Sequence, residues 1–318
     1  MKFAEEPNPD NLKCDAESQS KRSSASRRDR FRPSPTSRLV LGERDSEILQ
    51  CLYKFQALSR QQIEALFFTS TARCNRRLRQ LYDARLVRRH CPTVTGGSPW
   101  GTQVLYTLGG EAVSVLAQEG VDTLEEIGKR CRSDRTPTFL AHSLEVAEVY
   151  VNLRYAVQSP FGVGVTLERF LVERECRDEY EIRPVTGGAW QRQIVRPDAY
   201  MLLTHEQREY HYFLEVDRGH VSARSFSAKV ESYRCYWEHG AFQGGSGGES
   251  GAPTPFKVLV ITTGQERLKH LCHIVQEQRA SSRFLFATRD KMQPETMLLP
   301  IWLSGDGDRC ITILEGEA

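Results

Sequence analysis

The chain has 318 residues, 39% of them hydrophobic and 26% charged, with a formal net charge of +2. That composition suits two globular bodies of about 100–200 residues each and excludes global disorder and a fibrous architecture. No apolar run approaches the ~20 residues needed to cross a bilayer, and MKFAEEPNPD lacks the apolar core of a secretory signal, so a cytoplasmic protein without membrane contact is expected. The nine cysteines are odd in number, scattered and never in a C-x-x-C pair. This argues against a disulfide framework and a zinc ribbon, and most of them are expected to be small buried hydrophobes.

Residues 1–38 are rich in Ser, Pro and charge and are expected to be a disordered basic tail. From Lys21 to Arg38 the tail carries seven basic residues against the single acid Asp29. This suits either attraction to phosphates or a solubilising linker.

Residues 39–130 read as three short helices, a β-hairpin and a further helix. GERDSEILQCLYKFQ puts Ile48, Leu49, Leu52 and Phe55 on one helical face. Ser59 is a natural N-cap ahead of RQQIEALFF, where Ile63, Leu66 and Phe67 are expected to turn inward. The third helix starts near Thr69, Ser70 and Thr71 and turns Leu78 and Leu81 to the core. LVRRH and VLYTL are strand-like and are separated by PTVTGGSPWGTQ, a Gly- and Pro-rich loop.

This order is that of a winged helix-turn-helix, whose third helix enters the major groove of double-stranded DNA. Between Thr69 and His90 lie seven arginines with Asp83 as the only acid, an imbalance that points to a polyanion. Arg forks match guanine and Asn matches adenine, which makes Arg73, Asn75, Arg76 and Arg79 candidate base readers, with Arg77 on the same helix. Arg88, Arg89 and Lys54 suit phosphate contacts, which fix position without reading sequence. A solvated helix face is the bland alternative.

Residues 136–318 form the second expected domain, after a loop around KRCRSDRTP. TFLAHSLEVAEVYVNLRYAVQ predicts a long helix with Leu140, Leu144, Ala147 and Val151 along one stripe. Three strand-like runs follow, GVGVTLERFLVERE, QIVRPDAYMLL and EYHYFLEVD. Then come a helix in SARSFSAKVESYRCYWEHG, the strand FKVLVITT, the helix ERLKHLCHIVQEQ and the strand RFLFAT. The order α-β-β-β-α-β with extra elements behind it predicts a mixed sheet flanked by helices.

Pro197-Asp198 heads one strand and Glu215-Val216-Asp217 closes the next. If the two strands pair, Asp198 and Glu215 converge, and two carboxylates with a backbone carbonyl suit a hard divalent ion, Mg²⁺ or Mn²⁺. Taken singly, Pro-Asp is a common turn signal and Glu-x-Asp a common strand end. His142 and Glu145 lie one turn apart and could face that pocket, but a surface ion pair or packed histidine is the simpler reading. His270, Cys272 and His273 lack an evident fourth ligand.

In element order and motif this region resembles the PD-(D/E)xK nuclease superfamily. The resemblance stops where cutting members place a lysine two residues after the second acid, because this chain has Asp217 there. Lys229 is the best substitute, with Tyr233 one turn on, and Arg218 is a weaker one. Asp198, Glu215, Asp217 and Lys229 are therefore the candidate catalytic positions, with Asp198 and Glu215 as metal ligands.

Over about Arg44 to Leu303 the chain resembles the replication-relaxation family of plasmids and other mobile elements. The motifs that carry this are RDSEILQCL, RLRQLYDARLVRR, LYTLGGEAVSVL and LAHSLEVAEVYV, and most specifically RPDAYMLL followed by YFLEVDRGHVSARSFSAKVESYRCYW. The resemblance implies a two-domain α+β and α/β protein, a winged helix joined to a restriction-endonuclease-like domain. It also implies a DNA-binding accessory role in replication, relaxation or mobilisation, with relaxase or replication proteins as partners. A metal-dependent nickase or endonuclease and a winged-helix transcriptional regulator are the alternatives. The oligomeric state is left open.

Overall fold

The computed structural model describes residues 39–90, 104–132, 135–183, 189–244 and 254–315; the tail expected over residues 1–38 and the loop expected over residues 92–103 lie outside them. The chain divides into two compact units, Met1–Pro137 and Thr138–Ala318.

In the first unit α1 (Glu43–Phe55), α2 (Arg60–Phe67) and α3 (Thr71–Asp83) precede β2 (Val87–His90), β3 (Leu105–Leu108), α4 (Ala112–Gln118) and α5 (Leu124–Arg132). A two-residue strand, β1 (Leu58–Ser59), pairs with β3, which gives an antiparallel sheet in the order β1-β3-β2. Ile48, Leu49 and Leu52 from α1, Ile63 from α2, and Leu78 and Leu81 from α3 are fully buried.

Ser59 caps α2, its hydroxyl accepting from the Gln62 amide at 3.2 Å while Gln62 reaches back to the Ser59 amide at 3.0 Å. Leu66 and Phe67, expected to turn inward, are only partly buried, because Gln62 and Ile63 alone form the buried face of this eight-residue helix. The loop expected around KRCRSDRTP begins later than its charge suggested. α5 runs to Arg132, with Ile127 and Cys131 buried beneath its charged face. At the turn after β3, a Cβ on Gly109 would meet the Arg85 carbonyl at 2.0 Å, so only glycine allows this close approach.

The second unit opens with α6 (Pro137–Ala156), continues through β4 (Val165–Val172), β5 (Asp178–Ile182), β6 (Gln191–Val195), β7 (Ala199–His205) and β8 (Arg208–Val216), and reaches α7 (Ala223–Glu238). β9 (Lys257–Thr262), α8 (Gln265–Glu277), β10 (Phe284–Thr288), β11 (Trp302–Ser304) and β12 (Cys310–Ile311) complete it. The expected mixed sheet flanked by helices is present: seven strands in the order β12-β11-β10-β9-β8-β7-β4. β4, β7 and β8 are antiparallel, whereas β8, β9 and β10 run parallel, with α7 and α8 as the crossovers.

Two expectations are corrected here. QIVRPDAYMLL is two strands, not one: β6 pairs with β5 in a separate two-stranded ribbon and β7 enters the main sheet. The break falls at Arg196-Pro197-Asp198, where proline lacks a ladder donor. The long helix α6 buries more than the expected stripe. Leu140 is only partly covered, while Val146, Val149 and Leu153 are buried beside Leu144, Ala147 and Val151. Of the described cysteines, Cys74, Cys131, Cys176 and Cys272 are buried and Cys310 is exposed.

The core on the α7 side of the sheet is aromatic. Phe213, near the centre of β8, lies 5.0 Å from Phe256, 5.2 Å from Phe242, 5.5 Å from Tyr200 and 5.7 Å from Tyr233, centroid to centroid. Such tilted and edge-on rings add to the area they bury. Phe213→Ala is therefore expected to cost about 3–5 kcal/mol, read as a lower midpoint with unchanged slope in urea unfolding.

Candidate functional site

The antiparallel register of β7 and β8 pairs Ala199 with Leu214. This sets Asp198, whose amide bonds the Leu214 carbonyl at 3.0 Å, beside Glu215. The Asp198 carboxylate accepts from the Val216 amide at 2.7 Å and contacts His142 Nε2 of α6 at 3.2 Å. Glu215 is 4% exposed and receives two donors from α7. Tyr233 donates to Oε1 at 2.7 Å, and the Lys229 ammonium pairs with Oε2. Lys229 and Tyr233 are one helical turn apart, on a helix that turns Phe226, Val230, Tyr233 and Tyr236 to the core.

The electrostatics follow from this crowding. Burial and the neighbouring Asp198 push the Glu215 carboxyl up, to about 7, against the opposing Lys229 and Tyr233. Burial also works against the charge on Asp198, but His142, Lys229 and the Val216 amide outweigh it and hold that carboxyl below its usual value. The Lys229 ammonium and the His142 imidazole lose hydration, yet the facing carboxylates raise both. The Lys229 side chain is 41% exposed, so the ammonium is anchored on Glu215 and still open to solvent.

Asp217 does not share in this arrangement. Its carboxylate, 4% exposed, accepts from Arg267 Nε at 2.8 Å, Arg267 Nη2 at 3.1 Å and the Thr262 hydroxyl at 2.8 Å. Arg267 also bonds the Val221 carbonyl at 2.6 Å, so the pair ties the loop after β8 to α8. The expected third carboxylate of the pocket is a bidentate ion-pair partner. Arg218, the weaker substitute for the strand lysine, turns to Glu145.

Glu145, read in the sequence as a surface residue, is 5% exposed and sits between Arg218 Nε at 3.2 Å and Arg289 Nη2 at 2.7 Å. Sequence reasoning missed Arg267 and Arg289 altogether. The one available signal was a pair of glutamates, Glu145 and Glu148, in the largely apolar stretch SLEVAEVYV. His273 pairs with Glu277 at 3.3 Å, Cys272 bonds the Gly305 carbonyl at 3.0 Å and His270 is exposed, so these three form no cluster.

In the first unit α3 sorts its basic residues. Arg73, Asn75 and Arg76 are exposed and make no side-chain hydrogen bond or ion pair among the described residues. Arg77 is held by Asp45, with Nε to Oδ1 at 2.7 Å, and by the Val40 carbonyl at 2.8 Å. Arg79 pairs with Asp83 at 2.8 Å. Arg89 lies over the rings of Tyr82 and Tyr106, 4.6 and 5.7 Å from their centroids, and Arg88 is exposed with Nη1 3.3 Å from the Cys131 carbonyl. Arg73, Asn75 and Arg76 thus face outward, Arg77 braces α3 against α1 and Arg79 pairs within its own helix.

A family model described as replication-relaxation matches residues 49–250. The chain belongs to the replication-relaxation family. Two solved structures of the restriction endonuclease FokI, one of them bound to DNA, are similar at 12% and 9% identity with TM-scores of 0.25 and 0.26. They cover 78% and 80% of this chain, which spans 43% and 45% of theirs. No curated protein matches this member of the replication-relaxation family.

The Asp217–Arg267 pair yields a test of the fold around the site. Burial raises the Asp217 carboxyl, but Arg267 and Thr262 more than offset this and hold it below the ordinary range. Its stabilisation is therefore present above the unfolded-state value of about 4 and lost as pH falls through the folded one. Arg267→Met should cost about 3–5 kcal/mol near pH 7, by leaving a buried carboxylate unpaired. The gap to wild type should narrow as pH falls, first as the unpaired Asp217 of the variant protonates and then as the wild-type carboxylate does, and Asp217→Asn combined with Arg267→Met should recover much of the loss in urea unfolding.

Proposed function

We propose that this protein is a metal-dependent DNA nuclease acting in the replication, relaxation or mobilisation of a plasmid or other mobile element. On this reading the first unit is a winged helix that grips double-stranded DNA, and the second is a PD-(D/E)xK-type domain that cuts it. The observation that carries the reading is the Lys229 ammonium on Glu215 next to Asp198. An acidic pair and a cation are the chemistry such a domain needs, and here the cation comes from α7 instead of from position 217. The order α-β-β-β-α-β, with two antiparallel pairings and then a parallel one, supports the same assignment.

The donor set fits a hard divalent ion. Each oxygen of Asp198 and Glu215 accepts one hydrogen bond and keeps a second lone pair. Mg²⁺ commonly binds one or two carboxylates and completes its shell with water and substrate phosphate. Among the described residues no group of three or more His, Cys, Asp or Glu side chains is arranged to hold a metal, so the seat is a two-carboxylate one that substrate would complete. When bound, Mg²⁺ or Mn²⁺ polarises a phosphodiester and acidifies water.

The chain's own groups have separate tasks. Asp198 and Glu215 would hold the ion, with His142 and Tyr233 orienting them through the hydrogen bonds above. Lys229 keeps its proton at Nζ beside Glu215 and steadies charge developing on the attacked phosphate. Arg73, Asn75 and Arg76 reach base edges, and Arg88 a phosphate. An accessory protein that binds DNA and partner relaxase or replication proteins without cutting is the second reading, favoured by the carboxylate at position 217.

Supercoiled plasmid with Mg²⁺ or Mn²⁺ separates the two. Wild type is expected to nick it, with activity down at least about a hundredfold in Asp198→Ala, Glu215→Ala and Lys229→Met, and retained in folded Asp217→Asn. Plasmid left intact by wild type at high concentration would sink the nuclease reading in favour of the accessory one. In gel shifts, Arg73→Ala combined with Arg76→Ala should weaken duplex binding at least about tenfold. Arg79→Ala should leave binding nearly unchanged.

A further inference from the structure

We propose that Arg218 and Arg289, yoked by Glu145, form a seat for a DNA backbone phosphate flanking the one held at Asp198 and Glu215. The proposal rests on the reading that the second unit acts on DNA. One buried carboxylate needs one guanidinium, whereas Glu145 holds two, Arg218 at 3.2 Å and Arg289 at 2.7 Å. The cluster carries an excess positive charge. Both cations remain in reach of solvent, their side chains 18% and 34% exposed against 5% for Glu145.

Their placement ties this excess charge to the acidic pair. Arg218 follows the end of β8 and Arg289 the end of β10, so both sit at the carboxyl edge of the parallel strands, where open α/β sheets receive ligands. Glu145 lies three residues after His142 on α6, about 4.5 Å along the helix axis, and His142 contacts Asp198. The Asp217 amide bonds the Ile261 carbonyl at 2.8 Å, and the Arg267 pair fixes the Asp217 side chain. The backbone that carries Arg218 is therefore held from the preceding residue.

A purely structural ion pair does not account for the second guanidinium. A phosphate does, since guanidinium forks match its oxygens two at a time.

The test uses the full chain carrying Arg73→Ala and Arg76→Ala, to lower the contribution of α3, and a fluorescent short duplex in EDTA across a salt series. Arg289→Gln and Arg218→Gln each leave Glu145 one guanidinium. Each is expected to weaken binding and to flatten the slope of log K against log salt by about 0.9, the value for one phosphate contact. Arg289→Lys is expected to keep the slope, and Glu145→Gln, which removes a negative charge and no cation, to tighten binding. Unchanged slopes in both Gln variants, with only a fall in melting temperature, would overturn the seat. Because binding is measured without metal, flattened slopes in a protein that never nicks plasmid would keep the seat and remove the nuclease reading. Nicking with unchanged slopes would do the reverse.

Discussion

The second unit depends on the pairing of β7 with β8. Its register, Ala199 opposite Leu214, sets Asp198 against Glu215, and a slip of one residue would turn Glu215 to the other face of the sheet. The register is held from both sides. The Asp198 carboxylate takes the Val216 amide, and Phe213 is locked among the rings of the α7 side. Two like charges are thereby forced into one buried space, and the elements around them supply counter-charge. α6 contributes His142 to Asp198, and α7 contributes Lys229 to Glu215.

The same rule extends along the sheet's carboxyl edge. Asp217 is answered by Arg267 and Glu145 by Arg218 and Arg289, so these buried carboxylates are matched by arginines from other elements. Burying an unpaired carboxylate is costly, and pairing it with a well-placed guanidinium roughly offsets that cost. The edge is therefore charged without being loose. Its cations are already oriented by the acids they neutralise.

How much of this could be read from the chain depended on the distance in sequence between partners. The β7–β8 hairpin was legible from local periodicity, and the Lys229, Tyr233 pair from helical spacing together with the resemblance to the nuclease superfamily. Ser59 as a cap was legible locally as well. Asp217 with Arg267, and Glu145 with Arg289, were not, because 50 and 144 residues separate the partners and no periodicity links them. QIVRPDAYMLL misled because apolar residues resume directly after the short Arg196-Pro197-Asp198 break that ends β6. β1 is two residues long, too short for any pattern. On α3 the arginines looked alike in sequence, and only the fold separates the outward Arg73 and Arg76 from Arg77, which Asp45 holds.

The place of Lys229 on a helix has a physical consequence. Asp217 directly follows β8 and arrives with the hairpin. Lys229 arrives only when α7 docks through Phe226, Val230, Tyr233 and Tyr236. Tyr233 belongs both to that packed face and to the Glu215 carboxylate, so the hydrogen bond that orients the acid and the contact that seats the helix come from one side chain. Position 217 is left to brace the loop between β8 and α7 through Arg267 and the Val221 carbonyl. That loop sets where α7 begins, and hence where Lys229 lies. The Asp217–Arg267 pair thus borders the loop that leads into the helix carrying Lys229.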